Sequence, residues 1–177
     1  MWIRMAKRSW IGVFGALWGL AGVFLLIGSA IYRLAPLALE TFSYDLAWYH
    51  WAALALSVLF MAYSEGYRGF QQGFSPRVAA RARYLKTHPN VWRVLLGPFF
   101  CMGYFHATRK RKIVSMSLTA GIVILILAVR AIDQPWRGII DAGVVVGLGW
   151  GLISLLIFSL LAFFSAACPY TPEVPEE

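Results

Sequence analysis

Four long apolar runs separated by short charged segments constrain this chain more than any other feature. They cover residues 10–34, 46–63, 113–131 and 139–164. A hydrocarbon core about 30 Å thick is crossed by about 20 helical residues, so each run has roughly the length of a transmembrane helix. Hydrophobic residues make up 60% of the chain and charged ones 14%. A protein this short has no core large enough to hide that much apolar surface from water. The expected fold is therefore an all-α integral membrane bundle: four transmembrane helices in two hairpins, with helical segments between them at the cytoplasmic interface. The boundaries read as a cytoplasmic N-terminus over 1–9 and a first hairpin over 10–65. A basic loop over 66–112, a second hairpin over 113–165 and a Pro-rich, disordered tail over 166–177 follow. The first run follows Arg4, Lys7 and Arg8 but is longer than a signal-peptide core, so it reads as a retained helix.

The cations set the orientation. On the four-span reading thirteen of the sixteen Lys and Arg residues fall on one side, leaving only Arg33, Arg130 and Arg137 on the other. The positive-inside rule then puts both ends in the cytoplasm of a cell membrane, with a bacterial inner membrane suiting the short loops. The net charge of +8 is distributed between apolar runs, which points to anionic lipid rather than nucleic acid. Residues 91–107 are apolar enough to compete as a fifth span. They contain Arg93 and the helix-interrupting pair Gly97-Pro98, and basic residues flank them on both sides. They are expected to lie in the interface or to enter the membrane only partway and return.

Small residues supply the sharpest pattern. Gly143, Gly147 and Gly151 repeat every fourth residue, and Gly15 and Gly19, with Gly12 and Gly22 near the same stripe, do so in the first run. In lipid, helices associate through close backbone approach, which glycine permits. The two stripes are expected to pack helix one against helix four, or to meet a second copy or another membrane protein. Headgroup contact is assigned to Arg77, Arg81, Arg83 and Lys86 on one basic helix, and to Arg109, Lys110, Arg111 and Lys112 before the third span. Ser75-Pro76 reads as the start of that basic helix. On the outer side Arg33, Asp45, Arg130, Asp133, Arg137 and Asp141 form a polar cluster that can tie the hairpins together or hold a small charged ligand.

Glu65, at the edge of the second run, is placed to pair with Arg68 three residues on. A carboxylate at membrane depth is also a candidate ion or proton site. Glu65, His88 and His106 are the candidate acids or bases if the chain is an enzyme, while His50 belongs to the outer aromatic belt. The sequence contains no nucleotide-binding loop, metalloprotease motif, serine-hydrolase elbow or Cys/His metal pattern, and no cofactor or metal is expected. No charge is expected in the middle of a span. Three function classes remain: a non-catalytic accessory or structural membrane protein, a small homo-oligomeric channel or transporter, and an enzyme acting on a lipid at the cytoplasmic surface. The first is the leading expectation.

Overall fold

A computed structural model describes residues 2–164 and 170–174, with side chains from Trp10 onward within the first helix. Among the described residues every regular element is helical. Helix α1 runs Trp2–Glu40 and ends in a 3-10 turn, Thr41–Ser43. Helix α2, Trp48–Met61, continues without a break into a π-helix, Ala62–Phe74, and that into α3, Ser75–Thr87. Two short helices follow, α4 (Val91–Leu95) and α5 (Gly97–Met102), then the long helices α6 (Arg109–Arg130) and α7 (Trp136–Phe164). Three stretches are long and apolar enough to cross a membrane, at Trp10–Ser43, Arg109–Arg130 and Trp136–Phe164. On α6 only 11% of the apolar window is buried within the protein. Ile124 and Leu127 stand out from it, as do most of its other aliphatic side chains. Such a surface is stable only against lipid or a protein partner.

Several boundaries differ from the sequence expectation. Helix α1 does not stop near Arg33 but passes through Pro36 to Glu40. The missing Pro N–H costs one hydrogen bond, and contacts beyond it hold the last turn: Ala38 and Thr41 are buried, and the Leu37 carbonyl accepts from Gln134 Nε2 at 3.3 Å. The second run is not a simple α-helix ending at residue 63, because the helical backbone continues to Thr87. Ser75 therefore caps nothing. It lies inside a continuous helix, and its Oγ is buried without a hydrogen-bond partner.

The chain divides into two compact units, one made of Met1–Leu25, Phe74–Ser117 and Leu155–Glu177, the other of Leu26–Gly73 and Leu118–Ser154. In the first unit, α1 buries Ala16, Leu20 and Val23 at helical spacing. The α4–α5 pair lies on its glycine stripe: Gly15 faces Val94, Gly19 faces Gly97 and Cys101, and Gly22 faces Pro98. The backbone turns at Leu96-Gly97, and α5 ends at Gly103, whose φ of 85° is the left-handed cap that glycine adopts without strain. Tail residues 170–174, expected to be disordered, are docked here. The Glu173 carbonyl accepts from Thr108 N at 3.2 Å, and the Tyr170 ring meets Phe158 edge-on at 5.6 Å. Cys168, with the remainder of 165–169, lies outside the described residues.

In the second unit, α2 and the π-helix run along α7. His50 Nδ1 accepts from Ala47 N at 3.1 Å at the start of α2, and its ring lies 5.0 Å from Trp136 at the start of α7. From there Ser57 packs at Gly143, Met61 and Glu65 at Gly147, and Phe70 at Gly151.

Candidate functional site

Each unit contains a polar arrangement set within apolar surroundings. In the first it is built around Arg81, whose side chain is 2% exposed. Its Nε donates to the Phe100 carbonyl at 2.6 Å and its Nη1 to the Pro172 carbonyl at 2.8 Å. Its Nη2 donates to the Phe105 and His106 carbonyls, both at 3.0 Å. The guanidinium also lies 4.3 Å from the centre of the Phe100 ring. Burial brings it down to about 10, with Arg111 and Arg93 pushing the same way and Glu173 and Cys101 opposing. The group remains a cation at neutral pH, and its rigid fork of donors suits several carbonyls at once.

Arg81 therefore ties α3 to the end of α5, the following turn and the tail, and is not available to a headgroup. Arg111 is also withdrawn: it is 9% exposed and its Nε sits 3.9 Å from a Glu173 carboxylate oxygen. Arg83 reaches the Ala162 carbonyl at 3.2 Å, the Lys86 ammonium lies 5.2 Å from the Phe163 ring, and Arg77 is half-buried with its Nε lacking a hydrogen bond. Of the eight expected headgroup cations only Arg109 and Lys110 are exposed, with Lys112 half-buried.

His88 lies against Tyr84, and Arg93 links His106 to the same tyrosine. The Tyr84 ring stacks on His88 at 4.6 Å, and Arg93 reaches the Tyr84 hydroxyl at 3.5 Å and His106 Nε2 at 2.6 Å. His106 has a φ of 48°, an uncommon value for a residue with a side chain. The Arg81 bond to its carbonyl helps to hold that conformation. His88 Nδ1 is 2.9 Å from Thr87 Oγ1. The pair therefore joins an arginine-tyrosine network. Among the described residues no His, Cys, Asp and Glu group is arranged to hold a metal.

In the second unit Glu65 is the central residue. It stands in the π-helix with its side chain against Gly147: a methyl group added there would lie 2.8 Å from Glu65 Oε2 and 3.2 Å from Glu65 Cβ. The expected ion pair with Arg68 is not made, and Arg68 is exposed. The cause is the winding. Residues three apart stand about 60° apart around an α-helix. The i→i+5 bonds of a π-helix widen the turn and roughly double that angle. The same widening brings Phe70, rather than Arg68 or Gly69, onto Gly151. One polar link runs beside this contact, Trp150 Nε1 donating to Gln71 Oε1 at 2.8 Å.

The glycine stripes are thus filled from within the chain, and by different partners from those expected. Gly15 and Gly19 meet α4 and α5 rather than helix four, and Gly143, Gly147 and Gly151 meet α2 and the π-helix. The outer cluster does not assemble either. Arg137 and Asp141 form a pair at 3.7 Å within α7, while Arg33, Asp45, Arg130 and Asp133 are exposed. Gln134 makes the outer tie instead. Its Oε1 accepts from Gly138 N at 3.0 Å and lies 3.4 Å from Thr41 Oγ1, and its Nε2 donates to the Leu37 carbonyl. A lone amide in a loop gives no sequence signal for this role. Neither a protein-family model, nor a curated protein, nor a solved structure matches the chain.

Proposed function

We propose that the chain is a non-catalytic, accessory or structural membrane protein that crosses the bilayer four times with both ends in the cytoplasm. In this reading its cytoplasmic surface holds anionic lipid. Support for the fourth crossing comes from α2, which starts beside Trp136 and follows α7 past Gly143 to Gly147. A helix that accompanies a spanning helix shares its depth. The α4–α5 pair enters along α1 as far as Gly22 and turns back, which favours a re-entrant hairpin over a helix lying flat.

The observation that carries the lipid reading is the pair of exposed cations, Arg109 and Lys110, in the first turn of α6. Cations beside an apolar helix with little protein cover attract anionic headgroups, each worth about 1 kcal/mol at the membrane surface. Because the glycine stripes are occupied, a second copy or another membrane protein would meet this chain on α6.

The test is the phospholipid retained by protein purified in mild detergent, measured by mass spectrometry. Replacing Arg109, Lys110 and Lys112 by glutamine should reduce the phosphatidylglycerol retained and leave phosphatidylethanolamine unchanged. Equal retention of both lipids by the variant and the unaltered protein would remove the proposal.

A further inference from the structure

We infer that Glu65 is a proton-binding site in the interior of the bilayer, formed by the π-helix and the notch at Gly147. The inference uses the membrane placement of α7 but does not depend on the lipid role proposed above. Its first support is depth. Gly147 lies about 16 Å along α7 from Trp136, taking 1.5 Å per residue. Trp136 stacks with Tyr49 and lies edge-on to His50, an aromatic collar of the kind found at a membrane boundary. About 16 Å inward from that collar is near the middle of a core about 30 Å thick.

The second support is isolation. Glu65 has neither a hydrogen bond nor an ion pair among the described residues, and an ionised carboxylate in hydrocarbon needs a cation or several donors beside it. α7, which packs on Glu65, carries no titratable side chain from Gly143 to Phe164. On its own helix the nearest titratable groups are Tyr63, Tyr67 and Arg68, and all three are exposed.

The third support is the winding itself. Thirteen consecutive residues, Ala62–Phe74, depart from the α-helix. π-turns are rare and concentrate at functional sites. Here the departure separates the Arg68 cation from the Glu65 carboxyl. The Met61 carbonyl oxygen reaches the same Gly147 notch, and Ser57 lies a turn away at Gly143. A metal cation prefers six or more oxygens or a shell of waters, whereas a proton needs one.

The test uses the full chain in liposomes at pH 6 with dicyclohexylcarbodiimide, an apolar reagent that attacks protonated carboxyls. The acid adds across one C=N bond, its oxygen bonding to the central carbon and its proton passing to nitrogen. Acyl migration from oxygen to nitrogen then leaves a stable N-acylurea, with no leaving group. Peptide mapping should find a single major adduct on Glu65, absent in Glu65→Gln. A water-soluble carbodiimide should give at least tenfold less. Arg68→Gln should leave the labelling rate unchanged, because no pair with Arg68 restrains the carboxyl. Modification elsewhere, or equal reaction with the water-soluble reagent, would overturn the inference. Protection by 100 mM sodium chloride relative to choline chloride would also overturn it and make the site one for a metal cation.

Discussion

Replacing Arg81 by methionine removes donors from four carbonyls at once, those of Phe100, Phe105, His106 and Pro172. Hydrogen bonds to a charged group contribute about 1.5–3 kcal/mol each, but removing the guanidinium also relieves the cost of burying a cation. Each carbonyl left buried without a donor costs about 1–3 kcal/mol, and with the relieved burial of the cation set against the four the net loss is about 4 kcal/mol. For a chain of this size a kcal/mol shifts the unfolding midpoint by about 2–4 °C, so Arg81→Met should unfold about 12 °C earlier. Lysine keeps the charge but loses the planar fork. It reaches one or two of the carbonyls, and Arg81→Lys should lose about half as much.

Cys101 provides the assay, because its thiol is 1% exposed in the fold and becomes reactive on unfolding. A maleimide that fluoresces on coupling reports the transition in a Cys168→Ser background. A cation serving a lipid headgroup would give another pattern, with lysine equal to arginine and methionine harmless in a neutral detergent. That result, or a midpoint for Arg81→Met within about 2 °C of the parent, would refute the buried-tie account.

Gly19→Leu should force α5 away from α1, since a side chain there meets Cys101 Sγ and the Gly97 carbonyl. Native-state maleimide coupling to Cys101 should then rise at least tenfold at 25 °C. Gly151→Leu displaces the Phe70 ring and should lower the midpoint by several degrees without changing the particle size in size-exclusion chromatography. A changed size would return that stripe to an interface between chains. Truncation before Tyr170 removes the Pro172 and Glu173 carbonyls from Arg81 and Thr108, and should lower the midpoint by about 4 °C in the same assay.

The helical, membrane-embedded character was legible because apolar length is a local property, readable from residues 113–131 or 139–164 alone. Close approach at Gly15 and Gly147 was legible for the same reason, since glycine shows where a neighbour can come near. Which neighbour comes is not written there. The stripe on α1 receives α4 and α5 because Gly97 and Pro98 turn the chain back, and that depends on residues about eighty positions away. Arg81 resembled the other cations of α3. Only the folded backbone of α5 and the tail shows that its donors are already used.

Glu65 shows how a local rule fails when the helix changes pitch. The Glu65 and Arg68 spacing reads as an ion pair only while the backbone follows 3.6 residues per turn. The packing of Phe70 on Gly151 and the Trp150–Gln71 bond favour the wider coil, and the pair separates. In that way the Glu65 carboxyl comes to lie against Gly147 instead of beside Arg68.

A common physical requirement links the two units. Irregular backbone within an apolar surrounding has to find its hydrogen bonds inside the protein. At Leu96-Gly97 the turn is accommodated by the glycine face of α1, and the carbonyls freed past α5 are met by Arg81. In the π-helix the i→i+5 ladder keeps the backbone bonded while re-aiming the side chains. The first solution immobilises a cation, so that its substitution is read as lost stability. The second leaves the Glu65 carboxyl without a hydrogen bond or ion pair among the described residues, so that its substitution is read in chemistry at the carboxyl. Arg81→Met should therefore lower the unfolding midpoint steeply, and Glu65→Gln should hardly move it.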